Sequence, residues 1–353
     1  MKYLNYLLLF LPLTIFAGFL HLADSVIFAM ACLAIVPLAV IIGNATEQIA
    51  VYTGPKIGGL LNATMGNIPE LFIGYFAVQE GLYRLVLASM AGSMIGNILL
   101  VLGFSVLCGG LVYPSQVFDK NIARSNFTML CFAAISIVVP LTFKMNNNEG
   151  EHIQQGLIAI SFTIALVLLL IYVLGLIFSL VTHRNMFLEH ERENGDKQPD
   201  WSLAKCIVVL SVATFFVAIE SEILVSTVEN ASKDLGLPDV FIGIIIIPII
   251  GNVAEHASAV LMSVKNKVDI SLEIAVGSSM QIAMFVAPVL VLVSFANGKP
   301  MLYLYDPFEV VAILTSIILS LYVFQDGKTY WLEGVLMIFC YIVFGVAFYF
   351  DEV

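Results

Sequence analysis

Charge is scarce in this chain. Asp, Glu, Lys and Arg make up 12% of its 353 residues against 60% hydrophobic ones, and the mean hydropathy is +0.99. A soluble domain of this length needs a far more polar surface, so that class is excluded. Basic residues are the scarcer sign, 15 against 26 acidic, giving a net charge of −11. A nucleic-acid partner, which requires a basic face, is excluded with them. The five cysteines (Cys32, Cys108, Cys131, Cys206, Cys340) lie in or beside apolar stretches and never as a C-x-x-C pair. They read as small apolar filler, not as a disulfide frame or a zinc site. No H-E-x-x-H, G-x-S-x-G or phosphate loop occurs, which leaves a membrane-embedded enzyme without machinery, and no cofactor is expected. Met1-Lys2 and the apolar run after it show no obvious small-x-small cleavage site, so they read as a retained first helix.

Long apolar runs are what the chain does have. A bilayer crossing takes roughly 20 residues, and hydropathy with turn punctuation gives about eleven spans: 4–21, 25–52, 57–79, 83–112, 119–143, 152–181, 203–230, 237–263, 268–295, 306–324 and 329–350. The expected fold class is an all-α polytopic membrane protein embedded in the lipid bilayer. The polar run from His183 to Trp201 interrupts the pattern and reads as a solvated linker. With a cytoplasmic N-terminus, only Arg84, Lys144, Lys233 and Lys299 of the 15 basic residues fall in outside loops. The positive-inside bias thus places the N-terminus and linker in the cytoplasm and the C-terminal Asp351 and Glu352 outside.

The chain also repeats itself. Moved 185 positions on, Gly66-Asn67-x-x-Glu70 falls on Gly251-Asn252-x-x-Glu255, and Gly92-Ser93 falls on Gly277-Ser278 without a gap. A weaker match pairs Thr46–Val51 with Ser221–Ser226 after an insertion. The expected organisation is an extra N-terminal helix (1–24), a first five-helix repeat (25–182), a cytoplasmic linker (183–202) and a second repeat (203–353). Five is odd, so the repeats enter the membrane in opposite directions, as in secondary transporters with midplane sites.

These motifs carry a resemblance. "GNATEQIA", "GLLNATMGNIPEL" and "GNVAEHASAV…GSSMQIAMFVAPV" resemble the two characteristic regions of cation/proton exchangers, the Ca2+/H+ antiporter branch of the calcium/cation antiporter superfamily. The resemblance covers about residues 37–112 and 215–295. It implies Ca2+ and H+ as substrates, spans 2 and 7 as movable gates over a fixed core, and a fold whose relatives can associate, so that a homo-oligomer is compatible with it.

The residues point the same way on physical grounds. An ionised carboxylate in hydrocarbon costs several kcal/mol unless it lines a cavity and binds something. Asn62, Gly66, Glu70 and Gly74 share one helix face, and Pro248, Gly251, Asn252 and Glu255 line its counterpart. Pro69 and Pro248 each remove an amide donor and free carbonyls as ligands. Ca2+ wants 6–8 oxygens. Glu70 and Glu255 supply charge, while Asn67, Asn252, Ser93, Asn97, Ser278 and Gln281 supply amide and hydroxyl oxygens. Each polar companion also has a structural reading, since Ser and amides join membrane helices. Glu47 and Glu222 read as an outer pair that feeds protons or orients the inner one. His256 is either a relay or a packing residue. The expected function is exchange of cytosolic Ca2+ for H+ by alternating access. A Na+-coupled exchanger is the alternative, and a passive cation channel a more distant one. The absence of a long N-terminal extension suits a prokaryotic plasma membrane.

Overall fold

The computed structural model describes residues 4–17, 22–147, 150–182 and 199–351, without the side chains of 4, 5, 55, 56, 59, 62, 63, 121 and 122. Most of the linker, residues 183–198, lies outside this description, as do the Asn62 side chain and the C-terminal Glu352. A 3-10 turn, Leu4–Leu9, runs into α1, Phe10–Ile15. Then follow α2, Asp24–Gly54; α3, Ile68–Gln79; α4, Tyr83–Val112; α5, Lys120–Met145; α6, Glu151–Thr182; and α7, Leu203–Leu235. The chain continues with α8, Asp239–Gly251; α9, Val253–Val264; α10, Val268–Ala296; α11, Pro307–Val323; and α12, Trp331–Phe350. Helices dominate because backbone polar groups in lipid must be satisfied within their own segment. Two short strands, Gln116–Val117 and Lys328–Thr329, pair antiparallel.

Among the described residues, seven helices are long and apolar enough to cross a membrane, and the bent pair α8–α9 makes an eighth. The shortfall from eleven expected spans has local causes. The first apolar run holds a 3-10 turn and a six-residue helix. The third is broken at Gly66-Asn67, which leaves 12 residues in α3. The tenth, α11, has 17 residues.

The chain divides into two compact units. The first comprises Met1–Phe76, Ile171–Leu237 and Ile250–Ala254. Here α7 lies along α2, and Leu38 and Ile42 of α2 pack with Ile68 of α3 and with Ala213 and Val217 of α7. Leu8 and Leu11 from the N-terminal segment cover that core. The second unit comprises Ala77–Leu170, Pro238–Ile249 and Glu255–Val353. Its centre is α4, every residue of which from Leu85 to Leu99 is buried. Gly92 is required there. A Cβ at this position would collide with the Ile244 carbonyl oxygen and stand 2.6 Å from its carbonyl carbon and Cα, so only glycine lets α8 approach α4 beside Ser93.

Both α4 and α10 contain a turn of π-helix, Gly96–Val101 and Ile282–Val286. The 185-residue offset carries the first onto 281–286, so the echo in the sequence extends to a backbone irregularity. Such turns concentrate at functional sites.

Candidate functional site

In the first unit, α2 continues helically beyond the Gly54 kink to Met65, and the path then breaks at Gly66-Asn67. Ile68 restarts the helix, so Glu70 stands in the first turn of α3. Glu70 is 2% exposed and Asn67 is fully buried. The partial positive charge at a helix start steadies an ionised carboxylate there, typically by 0.3–1 kcal/mol. Against the Glu70 carboxyl group lies the backbone of Gly251. A Cβ on Gly251 would collide with Glu70 Oε1 and stand 3.0 Å from its Cδ. The Gly and Asn of the second motif thus do separate work: Gly251 admits Glu70, and the buried Asn252 occupies the next break.

That second break separates α8 from α9 with a bend of 61°. Val253 restarts the helix and Glu255 falls in its first turn, as Glu70 does in α3. Proline and glycine were expected to loosen continuous helices. Instead the helices stop at Gly66-Asn67 and at Asn252, with Pro69 and Pro248 inside the helical segments beside the breaks, and each carboxylate falls in the first turn of a new segment.

In the second unit, Glu255 hydrogen-bonds Ser278 of α10. Ser278 Oγ in turn accepts from Asn97 Nδ2 of α4 at 3.0 Å. Asn97 and Ser278 are 1% and 2% exposed. Two oxygens of this chain, Glu255 Oε2 and Asn97 Oδ1, are buried with no hydrogen-bond partner among the described residues. Buried acceptors without donors are costly, and a hard cation is one way to satisfy them. Ser93 is buried one turn before Asn97, and Gln281 is half-buried one turn after Ser278. The hydroxyls and amides of α4 and α10 thus stand just ahead of the two π turns or at their edge.

The remaining expected residues lie elsewhere. Glu47 on α2 and Glu222 on α7 are exposed. His256 is half-buried on α9, about 100° round the helix from Glu255. One buried acid had no signal in the motifs. Glu220 of α7 is fully buried, with Oε1 2.5 Å from the Thr14 hydroxyl of α1. That contact spans 206 residues, and only the position of Glu220 within an apolar run hinted at it.

The sodium/calcium exchanger protein model matches residues 24–181 and 205–350. A Ca2+/H+ antiporter of Aphanothece halophytica is 45% identical, over 98% of this chain and 96% of its own length. The Ca2+/H+ antiporter ChaA of Bacillus subtilis is 41% identical over 96% of each. The solved structure of native YfkE superposes with a TM-score of 0.84 at 38% identity, covering 98% of this chain and 99% of that one.

Proposed function

Because the chain belongs to the sodium/calcium exchanger protein family, we propose that it is a secondary transporter exchanging Ca2+ for H+. The observation that carries this reading is the pair of broken helices, each with an Asn at the break and a carboxylate in the first turn beyond it. Similarity to proteins named Ca2+/H+ antiporters favours the proton over Na+ as coupling ion.

Glu70 and Glu255 take up either Ca2+ or protons. Asn67, Asn252, Ser93, Asn97, Ser278 and Gln281 complete the oxygen set, and Glu47, Glu222 and His256 are candidates for proton delivery. A site with bare carboxylates is too costly to carry past a low-dielectric barrier. Protons remove that charge, and so does Ca2+, but the two loads exclude one another. Obligatory exchange follows. Residues 25–182 and 203–353 act as two inverted five-helix repeats in alternating access, with 1–24 extra and 183–202 a cytoplasmic linker. The matched breaks and matched π turns support that organisation. The protein sits in the plasma membrane with its N-terminus inside, moving Ca2+ out and H+ in.

The test is Ca2+ uptake into proteoliposomes under an imposed pH gradient without Na+, for the wild type, Glu70→Gln and Glu255→Gln. Uptake that needs the gradient and is lost in both variants is the expected result. Uptake that ignores pH and follows a Na+ gradient would replace the coupling ion, and gradient-independent leak would indicate a channel. Activity surviving both substitutions would remove the carboxylates from the mechanism.

A further inference from the structure

We infer that Tyr303 is a positioning residue for the cation site, acting through the carbonyl of Ala283 to fix the face of α10 that carries Ser278 and Gln281. The inference rests on the Ca2+/H+ exchange reading above.

Tyr303 lies in the non-helical segment 299–306 between α10 and α11. This stretch, "KPMLYLYD", looks like an ordinary outside loop, yet Met301, Tyr303 and Tyr305 are 1%, 0% and 1% exposed. A buried extended segment must place its backbone donors somewhere, and here they go to serines on two helices. The Met301 N–H donates to Ser294 Oγ of α10 at 2.8 Å, and the Tyr303 N–H to Ser161 Oγ of α6 at 2.9 Å. Both ends of the segment are tied to the start of α4. The Tyr83 hydroxyl donates to the Lys299 carbonyl at 2.8 Å, and Arg84 pairs with Asp306 and Glu309 at 3.6 and 3.4 Å. The segment is a strap that grips α4, α6 and α10.

From the middle of the strap, the Tyr303 hydroxyl donates to the Ala283 carbonyl at 3.3 Å. Ala283 lies inside the π turn Ile282–Val286, two residues after Gln281 and five after Ser278. A π turn displaces the regular i→i−4 pattern and leaves carbonyls needing other donors, and Tyr303 supplies one. Its ring is held edge-on to Tyr305, with centroids 5.3 Å apart. Burial raises the Tyr303 phenol above its usual range, so it stays a donor throughout the physiological span. Removing the hydroxyl would let the turn relax, and the residues just ahead of it would lose their register toward Glu255 and Asn97.

The experiment compares Tyr303→Phe, which keeps the ring, with the wild type and Ser161→Ala in the proteoliposome assay, alongside amide hydrogen exchange of the α10 peptide covering the π turn. Loss of one buried neutral hydrogen bond predicts a rise in apparent KM for Ca2+ of about 3- to 10-fold, with the maximal rate little changed and faster exchange at the turn. Ser161→Ala should move KM in the same direction by less. Wild-type KM in Tyr303→Phe would overturn the inference. So would a lower maximal rate at unchanged KM, which would indicate a purely structural role. Absence of gradient-driven uptake in the wild type would overturn the exchange reading itself and the positioning role with it, an outcome distinct from a wild type that transports and a variant that matches it.

Discussion

Replacing Gly251 by alanine tests the placement of Glu70 at minimal chemical cost. The added methyl would overlap Glu70 Oε1 and stand 3.0 Å from Cδ and 3.6 Å from Cγ. Carbon atoms rest about 3.5–4.0 Å apart, so the carboxyl group must retreat by at least about 0.5 Å. On the proposed role of Glu70 as a Ca2+ ligand, a shift of that size would break a contact of about 2.3–2.6 Å or force the break at Asn252 to open. Overpacking of this kind typically costs 1–3 kcal/mol. Expressed as lost affinity at about 1.4 kcal/mol per decade, that is roughly a 5- to 140-fold rise in apparent KM for Ca2+. Initial rates of pH-driven uptake over a Ca2+ series would measure it. Gly277→Ala is the internal control, because nothing lies within 4 Å of a Cβ placed there. Gly251→Ala with wild-type KM, or Gly251→Ala and Gly277→Ala with equal effects, would refute the assignment of Gly251 as the seat of the Glu70 carboxylate.

Other perturbations have equally direct readouts. Gly92→Ala drives a methyl into the Ile244 backbone and should lower the thermal midpoint or the folded yield well beyond Gly277→Ala, as read by detergent-solubilised thermal denaturation. Arg84→Gln removes the partner of Glu309, whose side chain is 1% exposed. Left with only the Asp306 N–H as a partner, that acid should destabilise the fold by about 1–3 kcal/mol, and the double variant Arg84→Gln/Glu309→Gln should regain most of the loss in a double-mutant cycle. The Arg84–Asp306 pair is more than a third exposed on both sides, so Asp306→Ala should cost about 1 kcal/mol through the lost α11 cap, whereas Asp306→Asn, which keeps the cap, should cost little. Thr14→Val leaves the buried Glu220 without its hydroxyl partner and should cost about 1–3 kcal/mol of stability while leaving KM for Ca2+ unchanged.

The long helices were legible because hydropathy depends on composition alone, and α4, α6, α7 and α10 begin and end within a few residues of the expected limits. The breaks were half legible. Gly, Asn and Pro at 66–69 and 248–252 announce weakness, but whether a helix loosens or snaps depends on what packs beside it. The π turns carry no composition of their own, since Ile282–Val286 is a plain apolar run and Gly96–Val101 is one apart from Asn97. Glu47 and Glu222 illustrate the limit for single side chains. Each directly follows a buried residue, Thr46 and Ser221, and only the rotational phase of α2 and α7 turns them outward. The Thr14–Glu220 contact and the strap at 299–306 involve partners tens to hundreds of residues apart, which no local pattern encodes.

The two helix restarts also bear on release. A transported ion must be held firmly enough to arrive and loosely enough to depart. At a helix start, Glu70 and Glu255 each sit in a field of about half a positive charge. That field comforts the bare carboxylate, and by the same amount it discounts the attraction of a dication. On the proposed role of these carboxylates, each start would act as a built-in brake on affinity. The same carboxylate set in mid-helix would attract Ca2+ more strongly and release it less readily.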